Sequence, residues 1–144
     1  MMQRNKSRQK GLAAIEFGLM APVVFVILFA IFEFGTAFWR KQVLTSAVRE
    51  GARKAVVATN PRKTKGQVEA AVLAYLTGVG FTAGGRTALC SGCGGAAGTT
   101  VTVSATYPTS FLILSRLPLG DGVDSKVNGQ GNMTLSATVS MQME

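Results

Sequence analysis

The chain carries two cysteines, seven acids and fifteen basic residues among 144 positions, and no histidine. The cysteines form one motif, Cys90-Ser91-Gly92-Cys93. That spacing suits a disulfide, a redox couple or half of a metal site. It supplies two of the four ligands a structural zinc needs, and no histidine can complete the set. A thioredoxin-like couple needs a strand–helix context with a helix opening at the first cysteine. Here Gly94-Gly95-Ala96-Ala97-Gly98 follows, which reads as loop. In an oxidising compartment a small structural disulfide is the expected state, with free thiols and a redox or metal role as the alternatives. Closing so short a loop stabilises by on the order of 1–3 kcal/mol in the chain-entropy account.

The remaining candidates for chemistry are weaker. Asp121, Asp124, Asn128 and Asn132 lie in a Gly-rich stretch, but their spacing does not fit an EF-hand loop and reads as a solvated surface. Gly78-Val79-Gly80 contains Gly-x-Gly, yet it follows a helical pattern instead of a strand, so these are turn glycines. Without histidine, His-based triads and imidazole acid–base chemistry are excluded. No nucleophile–base pair is visible. The pattern predicts no enzyme, no cofactor and no metal centre.

The formal net charge is +8, and Arg4, Lys6, Arg8 and Lys10 put half of it in the first ten residues. So basic a chain could bind nucleic acid. These cations instead flank an apolar segment, as membrane-bordering charge does, so lipid is the expected partner and nucleic acid is not.

That segment runs from Phe17 to Trp39, with Glu33 as its single charge. As a helix it is about 34 Å long, enough to cross a hydrocarbon core of about 30 Å. Its thirteen Leu, Ile, Val and Phe residues favour insertion by roughly 4–8 kcal/mol, whereas one acid at the centre costs about 2.5–3.5 kcal/mol. Glu33 lies near the far end, where the cost falls, so insertion wins. Pro22 can kink a membrane helix without preventing it. The apolar run is too long for a secretory signal peptide, and no small-residue cleavage pattern precedes Trp39-Arg40-Lys41. Orientation stays open from charge, because Arg40, Lys41, Arg49, Arg53 and Lys54 nearly balance the leader.

The junction reads Lys10-Gly11-Leu12-Ala13-Ala14-Ile15-Glu16-Phe17. A basic leader, a glycine, an apolar residue, then Glu five places after the glycine with an aromatic beside it: this resembles a type IV pilin-like processing site. Phe29-Ala30-Ile31-Phe32-Glu33-Phe34-Gly35 and Ala47-Val48-Arg49-Glu50-Gly51-Ala52-Arg53 resemble the body of the TadE-like family, minor pilins or pseudopilins of the tight-adherence (Flp) pilus apparatus. The resemblance covers about residues 8–57. It implies a pilin-like protein cut between Gly11 and Leu12 by a membrane-embedded prepilin peptidase. The leader would stay cytoplasmic and the remainder would lie across the inner membrane, facing the periplasm or entering the pilus. Glu16, beside Phe17, would then lie one helical turn from the new amine of Leu12, in range to pair with it in its own or a neighbouring subunit. Partners implied are the peptidase, other pilin or pseudopilin subunits and the assembly platform.

Beyond Trp39 the helix is expected to continue. Val43, Leu44, Ala47, Val48, Gly51, Ala52, Ala55 and Val56 recur at helical spacing, with Arg40, Lys41, Arg49, Glu50, Arg53 and Lys54 opposite. The small residues permit close helix approach, to another subunit or to the chain's own domain. Asn60-Pro61 should end this helix. Thr64-Lys65-Gly66-Gln67 has the form of a capping box. Val68, Ala71, Val72, Tyr75, Leu76 and Val79 line the helix it opens, which Gly78 or Gly80 can close. Val101, Val103, Ala105 and Tyr107 alternate with polar residues, as do Met133, Leu135, Ala137, Val139, Met141 and Met143, giving two half-buried strands. Thr87 to Cys90 reads as a third, hairpinned through the Gly-rich loop. Phe111 to Leu119 reads as a short helix or buried loop over the sheet.

The expectation is therefore an α+β protein in three parts: a leader at 1–11, a transmembrane helix continuing as an amphipathic one over 12–58, and an exported domain over 59–144. It combines the long helix, a second short helix and a small antiparallel sheet. Two rival readings are a pseudopilin of a type II-like secretion system and an unprocessed, signal-anchored periplasmic binding module. The first is disfavoured by the Ala47-to-Arg53 motif. The second is separable by intact mass, since it keeps residues 1–11.

Overall fold

The computed structural model describes residues 6–82, 84–111 and 132–143. Two helices pack on one face of a three-stranded antiparallel sheet, an α+β fold of the kind the sequence predicts. Helix α1 spans Lys6–Val56, 51 residues that run through Pro22 without a break. Helix α2 spans Lys65–Gly78. Strands β1 (Thr87–Ser91), β2 (Thr100–Ser110) and β3 (Asn132–Gln142) lie in the order β1-β2-β3.

The two halves of α1 differ as their sequences differ. Its apolar half presents Phe17, Phe25, Ile31, Phe32 and Phe34 to the surroundings, and none of its most apolar window is covered by the rest of the protein. Its second half buries Leu44, Ala47, Val48, Ala52 and Ala55 completely or nearly so. These residues fall three and four apart and form one stripe against the sheet and α2. The charged residues stay outside, where Arg53 donates to both carboxylate oxygens of Glu50 at 3.0 and 3.2 Å and Lys54 lies 3.4 Å from it.

The helix ends at Val56, four residues short of the expected stop at Asn60-Pro61. Ala55 is its last fully packed position, and residues 57–61 are exposed. Without burial nothing holds another turn, and Pro61 bars its propagation. The start of α2 follows the capping-box pattern, with Gln67 Oε1 accepting the Thr64 N–H at 3.0 Å. Its end is a Schellman motif: Phe81 N donates to Leu76 O at 2.9 Å and Gly80 N to Thr77 O at 3.0 Å. Gly80, at φ +88°, is therefore the closing glycine of the two candidates.

The sheet alternates as its sequence does. Val101, Val103, Ala105, Tyr107 and Thr109 of β2 point inward, with Ala88 and Cys90 of β1 and Leu135 and Ala137 of β3. Outward-facing hydroxyls pair across strands: Thr87 with Thr106 at 2.6 Å and Thr102 with Ser140 at 2.9 Å. Two details differ from the expected strands. Strand β2 continues past Tyr107 to Ser110, through Pro108. The β1 ladder stops at Thr87↔Thr106, so β2 is an edge strand there and tolerates proline. The alternation of β3 also weakens at Val139 and Met141, which are half-buried, and at Met133, which is exposed. The chain end is tied down, since Met143 N donates to Thr99 O and Met143 O accepts from Gly98 N, both at 3.0 Å. The helix or buried loop expected over Phe111 to Leu119, and the acidic stretch from Asp121, lie outside the described residues apart from Phe111 and Asn132.

Candidate functional site

The processing junction sits near the start of α1. Gly11 and Leu12 are both helical and exposed, and no atom lies within 4 Å of where a Cβ on Gly11 would stand. Space around the helix therefore does not require a glycine here. Leu12 and Glu16 are four residues apart in a continuous helix, so they share one face one turn apart. Glu16 and Phe17 are exposed as well. Among the described residues Glu16 makes no ion pair. The geometry offers a carboxylate one turn from the atom that would become an amine if the Gly11–Leu12 bond were cut.

At the other end of the apolar segment, Trp39 packs at a tilt on Phe81 with ring centroids 5.5 Å apart, and Phe81 packs on Tyr107 at 4.6 Å. Lys41 Nζ donates to the Ser136 carbonyl, and Arg86 donates to the Phe81 carbonyl. This cluster joins α1, the turn after α2 and the two longer strands at the level where the apolar run ends. Nothing in the sequence pattern pointed to it, because its members are far apart in the chain.

Cys90 and Cys93 are joined by a disulfide. Cys90 is buried under α2, and its backbone N–H donates to Glu69 Oε1 at 2.9 Å. Gly92 stands at φ +77°, and a Cβ there would collide with the Thr100 carbonyl, so the tight Cys-x-x-Cys turn requires glycine. Beside α1 an open groove of about 590 Å³ is lined by Arg49, Glu50, Arg53, Tyr75, Val139 and Met141 among others. Its one acid, Glu50, is held below the usual carboxylate range, chiefly by its hydrogen bond from Arg53. Among the described residues no three His, Cys, Asp or Glu side chains converge as a metal site.

What this arrangement defines is a class: a small α+β domain carried on a single helix long and apolar enough to cross a membrane. Within that class, residues 11–53, most of α1, match the family model described as TadE-like protein, in line with the motifs of the sequence. The match opens on Gly11 and closes on Arg53, within the span of the sequence resemblance. The match lies wholly within α1 and does not extend to α2 or the sheet. Neither a curated protein nor a solved structure matches the chain.

Proposed function

We propose that this protein is a non-catalytic minor pilin or pseudopilin precursor that serves assembly or initiation of a tight-adherence pilus. A prepilin peptidase removes residues 1–11, leaving Leu12 as the new N-terminus. The leader lies in the cytoplasm, α1 crosses the inner membrane, and the α+β domain faces the periplasm or is carried into the pilus. Glu16 pairs with the Leu12 amine of its own or a neighbouring subunit, and other pilin-like subunits and the assembly platform are the partners. The observation that carries this reading is the TadE-like match beginning at the glycine of the Gly11–Leu12–Glu16 junction, on a helix whose apolar face is wholly uncovered. A periplasm-active reporter fused after Glu144 tests the topology. An active fusion is expected, and an inactive one, with a cytoplasm-active reporter at the same position active instead, would overturn the precursor reading.

A further inference from the structure

Among the described residues, the end of the domain from which the apolar helix emerges has a definite direction. Two cross-contacts give the direction. Lys41 of α1 reaches Ser136, early in β3, while Arg62, six residues past the end of α1, reaches Met143 Sδ, one residue past the end of β3, 3.2 Å away. Strand β3 therefore runs with α1, away from the apolar segment. The residues that precede Ser136 in β3, and their β2 partners Pro108, Thr109 and Ser110, extend back toward that segment. Three or four strand residues cover about 10 Å. No spacer separates the span from the domain: Trp39, last residue of the apolar run, is already packed on Phe81.

We propose that this end of the domain is a lipid-interface surface, seated in the headgroup layer of the membrane that α1 crosses, and that it favours anionic phospholipid. Trp39 is 53% exposed although it packs on Phe81, which is 3% exposed. A tryptophan with one side on protein and one side open, at the boundary of a lipid span, is the residue type that membrane interfaces select. Arg40, Lys41 and Arg86 gather at the same level, against Glu33 two turns deeper in α1. Cations at a bilayer surface are drawn to anionic headgroups. Gly84 and Gly85 lie beside this end, since Gly85 faces Pro108. The loop that holds Ala97 is tied to Met143 at the opposite end. The inference rests on the membrane span and holds whichever apparatus the chain serves.

The chain has a single tryptophan, which makes the test direct. The full chain is reconstituted in vesicles of phosphatidylcholine, with or without phosphatidylglycerol, carrying bromine on the acyl chain near the headgroup. Three single-tryptophan proteins are compared: the unmodified chain, Trp39→Phe/Gly84→Trp and Trp39→Phe/Ala97→Trp. Gly84 has open space for a side chain and Ala97 is exposed, so neither substitution disturbs the core. Strong quenching of Trp39 reports that the span is in the bilayer, and its absence would overturn the inference at that step. Given a seated span, the tryptophan at 84 should be quenched several-fold more than the one at 97. Equal, weak quenching at both would mean that the domain stands clear of the surface and would overturn the seating. Phosphatidylglycerol should deepen quenching at 84, and Arg40→Gln should reduce that gain. Quenching at 84 that ignores both lipid charge and Arg40 would overturn the anionic preference.

Discussion

Gly51 of α1 and Val72 of α2 meet in a close approach of the two helices: a Cβ on Gly51 would overlap Val72 Cγ2 and stand 3.6 Å from Val103 Cγ1. Three elements meet at one missing side chain. Val72 is fully buried, and its branched Cβ leaves it little freedom to turn aside. Gly51→Ala should gain about 1 kcal/mol of helix propensity and lose about 1–3 kcal/mol to overpacking, a net destabilisation. Adding Val72→Ala should restore part of that loss, so the two substitutions will not be additive. Urea unfolding of the detergent-solubilised chain measures both. A Gly51→Ala protein more stable than the parent would contradict the close approach.

Processing should depend on Gly11 for the peptidase's sake and not for the helix's. No neighbour restricts the size of residue 11. Gly11→Val should therefore leave α1 and membrane insertion intact while blocking removal of residues 1–11. Intact-mass measurement in cells with the cognate peptidase reads the outcome. A parent protein that keeps its leader would sink the processing reading, and a fully processed Gly11→Val would show that the cleft tolerates a side chain.

Much of this architecture is legible in the sequence because it rests on local patterns. The stripe from Leu44 to Ala55, the Thr64–Gln67 cap, and the alternation from Val101 and from Leu135 are each set by their own period, and each appears in the fold. What escaped depends on residues distant in the chain. The Trp39–Phe81–Tyr107 cluster unites positions whose separations follow no period. The role of Gly51 also has two readings at sequence level, because a small residue suits contact with another subunit or with α2, and only the place of Val72 decides that it meets α2. Strand β2 runs past Tyr107, the last position of the expected alternation, because the shorter β1 leaves Pro108 at an edge, which only the pairing of the strands reveals.

Glu16 should matter for assembly and not for insertion. Removing a charge from the edge of an apolar segment makes entry into lipid equal or easier. Glu16→Ala should accumulate as processed, membrane-inserted protein that does not support pili. Normal piliation in that variant would refute the pairing with the Leu12 amine.

The terminal strand should be indispensable to the domain. Leu135 is 8% exposed and faces Tyr107 across the ladder, and Met143 fastens the chain end to the Gly-rich loop. Leu135→Ala should cost about 2–4 kcal/mol, the usual range for a buried leucine. Half-buried Val139 should cost less on truncation. Deleting residues 133–144 exposes the inner face of β2 and should leave a stub that proteases degrade, with α1 still inserted and the leader still cut. Full-length accumulation of that deletion on an immunoblot would show that β3 is dispensable.

The unbroken course of α1 has a mechanical consequence. Its 51 residues make a rod of about 76 Å, one end apolar enough to cross a bilayer and the other clamped between sheet and second helix. Such a rod has no joint to take up slack. With the apolar end seated in a bilayer, a pull along the membrane normal at the domain would draw that end outward by the same distance, and a shift at the N-terminus would lift or lower the domain in step. Displacement passes through this protein as through a piston, without attenuation between its two ends.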